Sequence, residues 1–242
     1  LNRPSAPQIR FACLIAVIGT LLPNSASYQA AVHLPSGVIA ILLSLIPMLA
    51  FPIALSLGND RFSARKLIGL TLGFGAVVLI AANSGSFEGD VTLWWVAVAL
   101  VAPSFYALEG NVVAKWGTYG FDAIETLFWS SVFGLVPSLL LALGTGQFIP
   151  VPATWGPPEF AFLIIAVAHA VVYAGYVWLV SNAGPVFAAQ VSYLVTIFGI
   201  FWAIVLLHEA YANGIWLALA LMLSGMFLVQ PRARKSEEDA LA

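Results

Sequence analysis

An all-α integral membrane protein, a polytopic helical bundle, is the fold class this sequence predicts, and three observations predict it. Of its 242 residues 61% are hydrophobic and only 8% charged, at a mean hydropathy of +0.97. A soluble domain carries about a quarter charged residues, so the solvent for most of this chain is the lipid bilayer. Eight apolar segments, roughly 11–31, 36–57, 66–82, 93–114, 122–144, 159–181, 186–207 and 214–230, are long enough to cross about 30 Å of hydrocarbon at about 1.5 Å per residue. The links between them carry the Pro, Gly, Asn and Asp that punctuate helices: "HLPSG", "GNDRFSARK", "NSGSFEGDV", "GTYGFD", "TGQFIPVPATWGPPE", "NAGP" and "HEAYANG".

Taken in order, the first span contains Cys13, the single cysteine, which excludes an internal disulfide. The second holds Pro47 and Pro52 in "SLIPMLAFPIAL"; both remove a backbone donor and kink the helix, which makes them hinge candidates. The third contains "GLTLG", Gly69 to Gly73, a GxxxG face for close helix contact within the chain or in a homodimer. No Gly-Lys-Ser/Thr follows, so it is not a phosphate loop. The fourth opens on Trp94 and Trp95 at the membrane interface and carries Glu109. The fifth follows "GTYGFD"; the sixth follows a Pro-rich link with no room for a soluble domain and carries His169. The seventh and eighth are separated by "HEAYANG", and a charged tail, 232–242, ends the chain.

Charge orients these spans. Eight crossings place both termini and every second link on one side, and that side receives Arg3, Arg10, Arg61, Arg65, Lys66, Lys115, Arg232, Arg234 and Lys235, all nine basic residues. The positive-inside rule makes that side, and both termini, cytoplasmic, in a cell inner membrane. A formal charge of −2 and the lack of a basic stripe exclude a nucleic-acid partner.

"HEAYANG" begins like a zinc protease motif. Such a site needs a second histidine four residues after His208, and that position is Ala212. His208-Glu209 is therefore a turn and helix-end pair. No metal or cofactor is called for.

Shifting the chain by 150 residues superposes 11–80 on 161–230. Pro35 falls on Pro185, Leu57 on Leu207 and Gly75 on Gly225. The second block is preceded by two spans, 93–114 and 122–144, whose counterparts would lie before Leu1. A unit with an odd number of helices alternates orientation, the plan of inverted-repeat transporters. The expected domains are 1–83, the remainder of a first repeat with three spans, 84–231, a second repeat with five, and the tail 232–242. The parent fold is then a ten-helix, five-plus-five bundle whose first two helices are lacking here.

Two stretches, "LPSGVIAILLSLIPMLAFPIALSLGNDRFSARKLIGLTLGFGAVVLIAA" and "AGPVFAAQVSYLVTIFGIFWAIVLLHEAYANGIWLALALMLSGMFLV", resemble the EamA-type transporters of the drug/metabolite transporter (DMT) superfamily. Ser44 and Pro47 match the mid-membrane Ser-x-x-Pro of the first block, and Glu209 the acidic position of the second. Asn59 replaces the acidic residue of the first block, and Ile197 stands where the second often has proline. The resemblance implies a secondary transporter working by alternating access, more often an exporter, for a small polar or amphipathic metabolite.

Candidate substrate-binding residues come from the polar groups inside the spans, where an ionised Asp costs about 2.5–3.5 kcal/mol at a helix centre. Glu109 lies about five residues from the inner end of its span; Lys115, six residues on, is at the wrong spacing to pair with it along a helix. Gln190, at similar depth, is its expected partner. His169 is near mid-membrane, with a titration range suited to proton coupling. His169, Tyr173 and Tyr176 form one helical stripe, and Thr20, Asn24 and Ser27 form another on the repeat-related helix. The two stripes are expected to line a polar cavity, with Tyr106, Trp129 and Tyr193 as aromatic walls. With His169, the tyrosines and no Lys or Arg among these groups, the expected solute is neutral or zwitterionic and amino-acid-like. Two alternatives compete: a non-transporting scaffold or inactive fragment, and an intramembrane enzyme. The enzyme lacks a nucleophile motif, since Ser84-Gly85 and Ser224-Gly225 have no glycine upstream.

Overall fold

The computed structural model describes residues 3–82, 93–150, 152, 154–183 and 191–230. Every described element is helical: α1 (Ala6–Ile15), a π-helical turn (Ala16–Leu21), α2 (Leu22–Ala31), α3 (Ser36–Leu43), α4 (Ile46–Leu57), α5 (Ala64–Ala82), α6 (Leu93–Ala99), α7 (Val101–Trp116), α8 (Ala123–Gly144), α9 (Pro157–Ala183), α10 (Val191–Leu207) and α11 (Asn213–Val229). Each of the eight predicted spans is represented by apolar helix. Five stretches are long and apolar enough to cross a membrane, namely Ala6–Ala31, Ser36–Leu57, Ala64–Ala82, Leu93–Trp116 and Ala123–Gly144. The other three belong to α9, α10 and α11.

Three spans are interrupted, each just before a proline. Proline has no N–H for the carbonyl four residues back, and its ring collides with that carbonyl. Pro47 lies four residues after Leu43, where α3 ends, and Pro103 four residues after Ala99, where α6 ends. Pro23 lies four after Gly19, and there the chain widens into the π turn instead of breaking. Pro52 sits inside α4 without interrupting it. Of the two predicted hinges, only Pro47 marks a break in the helix.

Helix ends are satisfied locally. The Asp122 side chain accepts from the Glu125 N–H at 2.7 Å while Glu125 accepts from the Asp122 N–H at 3.2 Å, a capping box that starts α8. At Ser5 the Gln8 side chain plays the returning role, accepting the N–H at 2.8 Å. Helix α4 ends on Gly58 at φ 74°, a left-handed cap that a side chain disfavours.

The chain forms two compact units, Leu1–Val17 with Thr118–Ala188, and Ile18–Gly117 with Ala189–Ala242. In the first, α1 packs on α8: Gly134 lies where a Cβ would stand 3.3 Å from Ala16, and Gln8 donates to the Tyr119 carbonyl at 3.1 Å. Apolar side chains of α8 and α9 such as Leu135 and Phe162 are exposed, as lipid-facing groups are.

The second unit holds the larger core. Val38, Ile41, Leu42, Leu45, Met48, Ala76, Ile80, Ile200, Met222 and Met226 are buried together. Its tightest contact joins α5 to α11. A Cβ on Gly69 would lie 2.7 Å from the Gly225 carbonyl, and a Cβ on Gly225 2.7 Å from that of Gly69. Gly73 is covered by Met48 and Leu45. The GxxxG face is thus spent inside the chain, so a homodimer would have to use another surface.

Candidate functional site

Helix α7 carries two sets of polar side chains on opposite faces. Tyr106 and Glu109 are three residues apart and share one face; Asn111, two residues beyond Glu109, is turned about 200° away and shares its face with Lys115.

The Asn111 face is structural. Buried Asn111 donates to the carbonyls of Ala107 at 2.9 Å and Ala50 at 3.1 Å. Asn59, from the link after α4, donates to the Asn111 carbonyl at 2.9 Å and its side-chain oxygen at 3.2 Å. Lys115 donates to the Leu57 carbonyl at the end of α4, at 2.7 Å. These contacts rivet α7 to α4. Interhelical hydrogen bonds inside membranes are worth about 0.6 kcal/mol each, and Asn111→Ala removes two, so a loss of about 1 kcal/mol is expected. Thermal unfolding in detergent should show it, with transport retained; abolished transport in a normally folded variant would give Asn111 a different role.

The other face of α7 meets the first span. The Tyr106 hydroxyl donates to the Asn24 side-chain oxygen at 3.0 Å. One turn on, the half-buried Glu109 carboxylate lies against Gly19 in the π turn: a Cβ there would be 2.6 Å from Cδ and Oε1 and 2.7 Å from Oε2. Among the described residues no side chain donates a hydrogen bond to this carboxylate and no cation pairs with it. Asn24 from the first span and Tyr106 and Glu109 from the fourth, all predicted site residues, are therefore together. Sequence spacing does not single out Gly19; Thr20, on the predicted inward stripe, is exposed because the π turn shifts the register. Pro23 was the available signal.

The remaining predicted residues lie elsewhere. Ser27 is half-buried on α2. Tyr193, on α10, packs against the core with its hydroxyl buried and, among the described residues, without a hydrogen-bond partner. Trp129, on α8, stacks on Phe133 at 5.7 Å, and its indole N–H is likewise buried and unpartnered. His169 is exposed on α9. Tyr173 and Tyr176 belong to α9, but their side chains lie outside the described residues, as does Gln190. The two predicted stripes fall in different compact units.

Glu209 has a defined structural task. Its Oε1 accepts from the Ser36 N–H and hydroxyl, both at 2.8 Å, and its Oε2 accepts from the Gly37 N–H at 3.3 Å and from the Tyr211 hydroxyl. It caps the N-terminus of α3 from a turn in which His208 sits at φ 55°. Burial pushes its carboxyl upward, but the hydrogen bonds from Tyr211, Ser36 and Gly37 outweigh that and hold it below the ordinary glutamate value. With both oxygens engaged in this way, the pair His208-Glu209 has the helix-end role its spacing suggested.

Packed apolar helices that cross a bilayer, with polar side chains between two of them, define a multi-pass membrane protein. The EamA-like transporter family matches this chain over residues 93–230, more than half its length. The chain belongs to that family, a membrane transporter of the drug/metabolite transporter superfamily whose partners are a small-molecule substrate and the lipid bilayer. No curated protein matches the sequence.

Proposed function

We propose that the protein is a secondary transporter that exports small neutral or zwitterionic, amino-acid-like metabolites across a bacterial inner membrane by alternating access. The observation that carries this reading is Glu109, a carboxylate within a membrane span that lacks a cation or donor among the described residues and sits beside the Tyr106–Asn24 pair. A carboxylate so placed suits the ammonium group of a zwitterion, or a proton that exchanges with it. His169 is the second titratable group of the reading. The two repeats of this reading are 1–83 and 84–231, in inverted orientation, with the tail 232–242 and the N-terminus cytoplasmic. Support for that orientation is the placement of all nine Lys and Arg on one side.

The test is exchange of labelled neutral amino acids by proteoliposomes across a range of pH. Glu109→Gln is expected to lower the rate by about tenfold or more and to flatten its pH dependence; His169→Ala is expected to alter the pH dependence. Unchanged rate and pH profile in both variants would sink the assignment. Retention of every labelled solute by the wild-type protein would favour a scaffold.

A further inference from the structure

Three features bear on Gly19. It lies in a single π turn between two α-helical segments, and such turns occur frequently at functional sites. Pro23, four residues on, has no N–H to return to the Gly19 carbonyl, which is why the helix widens there. The missing side chain is filled by a charged group from another helix, the Glu109 carboxylate.

The geometry of that contact is specific. The point where a Cβ would stand is 2.6, 2.6 and 2.7 Å from Cδ, Oε1 and Oε2. A point nearly equidistant from all three atoms, and this far from them, lies over the face of the carboxylate and not at its edge. The group is laid flat on the bare backbone, and the lone pairs in its plane, along which an acceptor prefers its donors, run along the helix surface. They remain available to a donor arriving between the two helices. The charged and titratable neighbours on this seam are Tyr106, one turn away on α7, and Tyr28 on α2.

We propose that Gly19 is a positioning residue for transport: its bare π turn seats the Glu109 carboxylate at the depth and orientation that receive the ammonium group of the solute. This rests on the function proposed above. A methyl group at position 19 cannot coexist with the carboxylate as placed, so Gly19→Ala unseats it. Glu109→Asp, shorter by one methylene, withdraws the carboxylate by itself; combined with Gly19→Ala it refills the enlarged side of the seam.

The experiment has two independent readouts. The first is labelling by dicyclohexylcarbodiimide, which adds to protonated carboxyls in apolar surroundings and is read at Glu109 by peptide mass. Gly19→Ala should label about threefold faster or more, as expected when the unseated carboxylate becomes the major state. Gly110→Ala is the control, since a Cβ at that position meets nothing within 4 Å, and it should label like wild type. The second readout is exchange of labelled L-alanine in proteoliposomes. Displacement of a binding group by about 1 Å costs up to about a hundredfold, and Gly19→Ala should lose about tenfold, mostly as a raised KM. The Gly19→Ala/Glu109→Asp double variant should recover part of that loss. Wild-type labelling in a monodisperse Gly19→Ala protein overturns the seat. Faster labelling with unaltered exchange overturns the positioning role. If Glu109→Gln exchanges normally the proposed function itself fails, and the labelling still reports whether the seat exists.

Discussion

Gly225→Val is expected to prevent the protein from accumulating in a folded form. At this crossing the backbones of α5 and α11 touch: the Cβ would stand 2.7 Å from the Gly69 carbonyl and 2.9 Å from the Met48 methyl. Met48 is flexible and could move, but the carbonyl belongs to a helix whose next turn, at Gly73, is held by the same Met48 and by Leu45. Overpacking a core costs about 1–3 kcal/mol where side chains can adjust. Here relief requires separating two helices that close the core, so the cost should lie at or above the top of that range. Chromatography of a fluorescent fusion in detergent should show aggregate in place of a monodisperse peak. Gly75→Ala is the matched control: its nearest neighbour would be a Leu221 methyl at 3.8 Å, an ordinary contact, and alanine favours helix. A folded, thermally normal Gly225→Val would mean that the α5–α11 crossing adjusts freely.

Glu209→Ala should produce the second large effect. Removing the carboxylate leaves the Ser36 and Gly37 N–H groups at the start of α3 without their acceptor and the Tyr211 hydroxyl without its partner. Loss of an N-cap costs about 0.5–2 kcal/mol, and hydrogen bonds to charged groups are worth about 1.5–3 kcal/mol, so a loss of about 2 kcal/mol is expected. The sign of its pH dependence follows from the lowered carboxyl. A group whose folded value lies below its unfolded value stabilises the protein above the unfolded value of 4.5, and that contribution disappears as pH falls through the folded value. Wild type should therefore lose stability on acidification below about pH 4.5 more steeply than Glu209→Gln, whose side chain does not titrate in this range. Parallel melting curves from pH 7 to pH 3 would show that the cap contributes nothing through its charge.

The spans were legible because hydropathy over about twenty residues integrates many weak signals, and the break at Pro47 because a missing N–H is a local fact. The break before Pro103 is not singled out by the sequence, and Pro52 and Pro137 lie inside unbroken helices. The pairing of Tyr106 with Asn24 was within reach for a different reason: a polar group inside a span needs a partner on another helix. Gly19 was out of reach on a regular helical wheel. One π turn rotates everything that precedes it, so an even 100° step puts Thr20 where Gly19 actually stands. Asn111 carries no charge to mark it in the sequence beside Glu109, although its task is the better defined. The acceptor role of Glu209 could be read from its place at a helix end, but not the identity of the helix it caps, because Ser36 lies in a distant part of the chain.

That separation has a consequence for how the protein is made. The Ser36–Glu209 bond spans 173 residues, and the chain emerges from the ribosome N-terminus first. When α3 enters the bilayer, the acceptor for its first N–H groups has not been synthesised, and it arrives only after α10 has been translated. Until then the first turn of α3 must be satisfied by water or headgroups. The Gly69–Gly225 crossing arrives later still. Insertion and final packing are therefore separate events, and a translation arrest before residue 209 leaves helices that are threaded but unlocked, the stage at which a membrane quality-control protease would meet them.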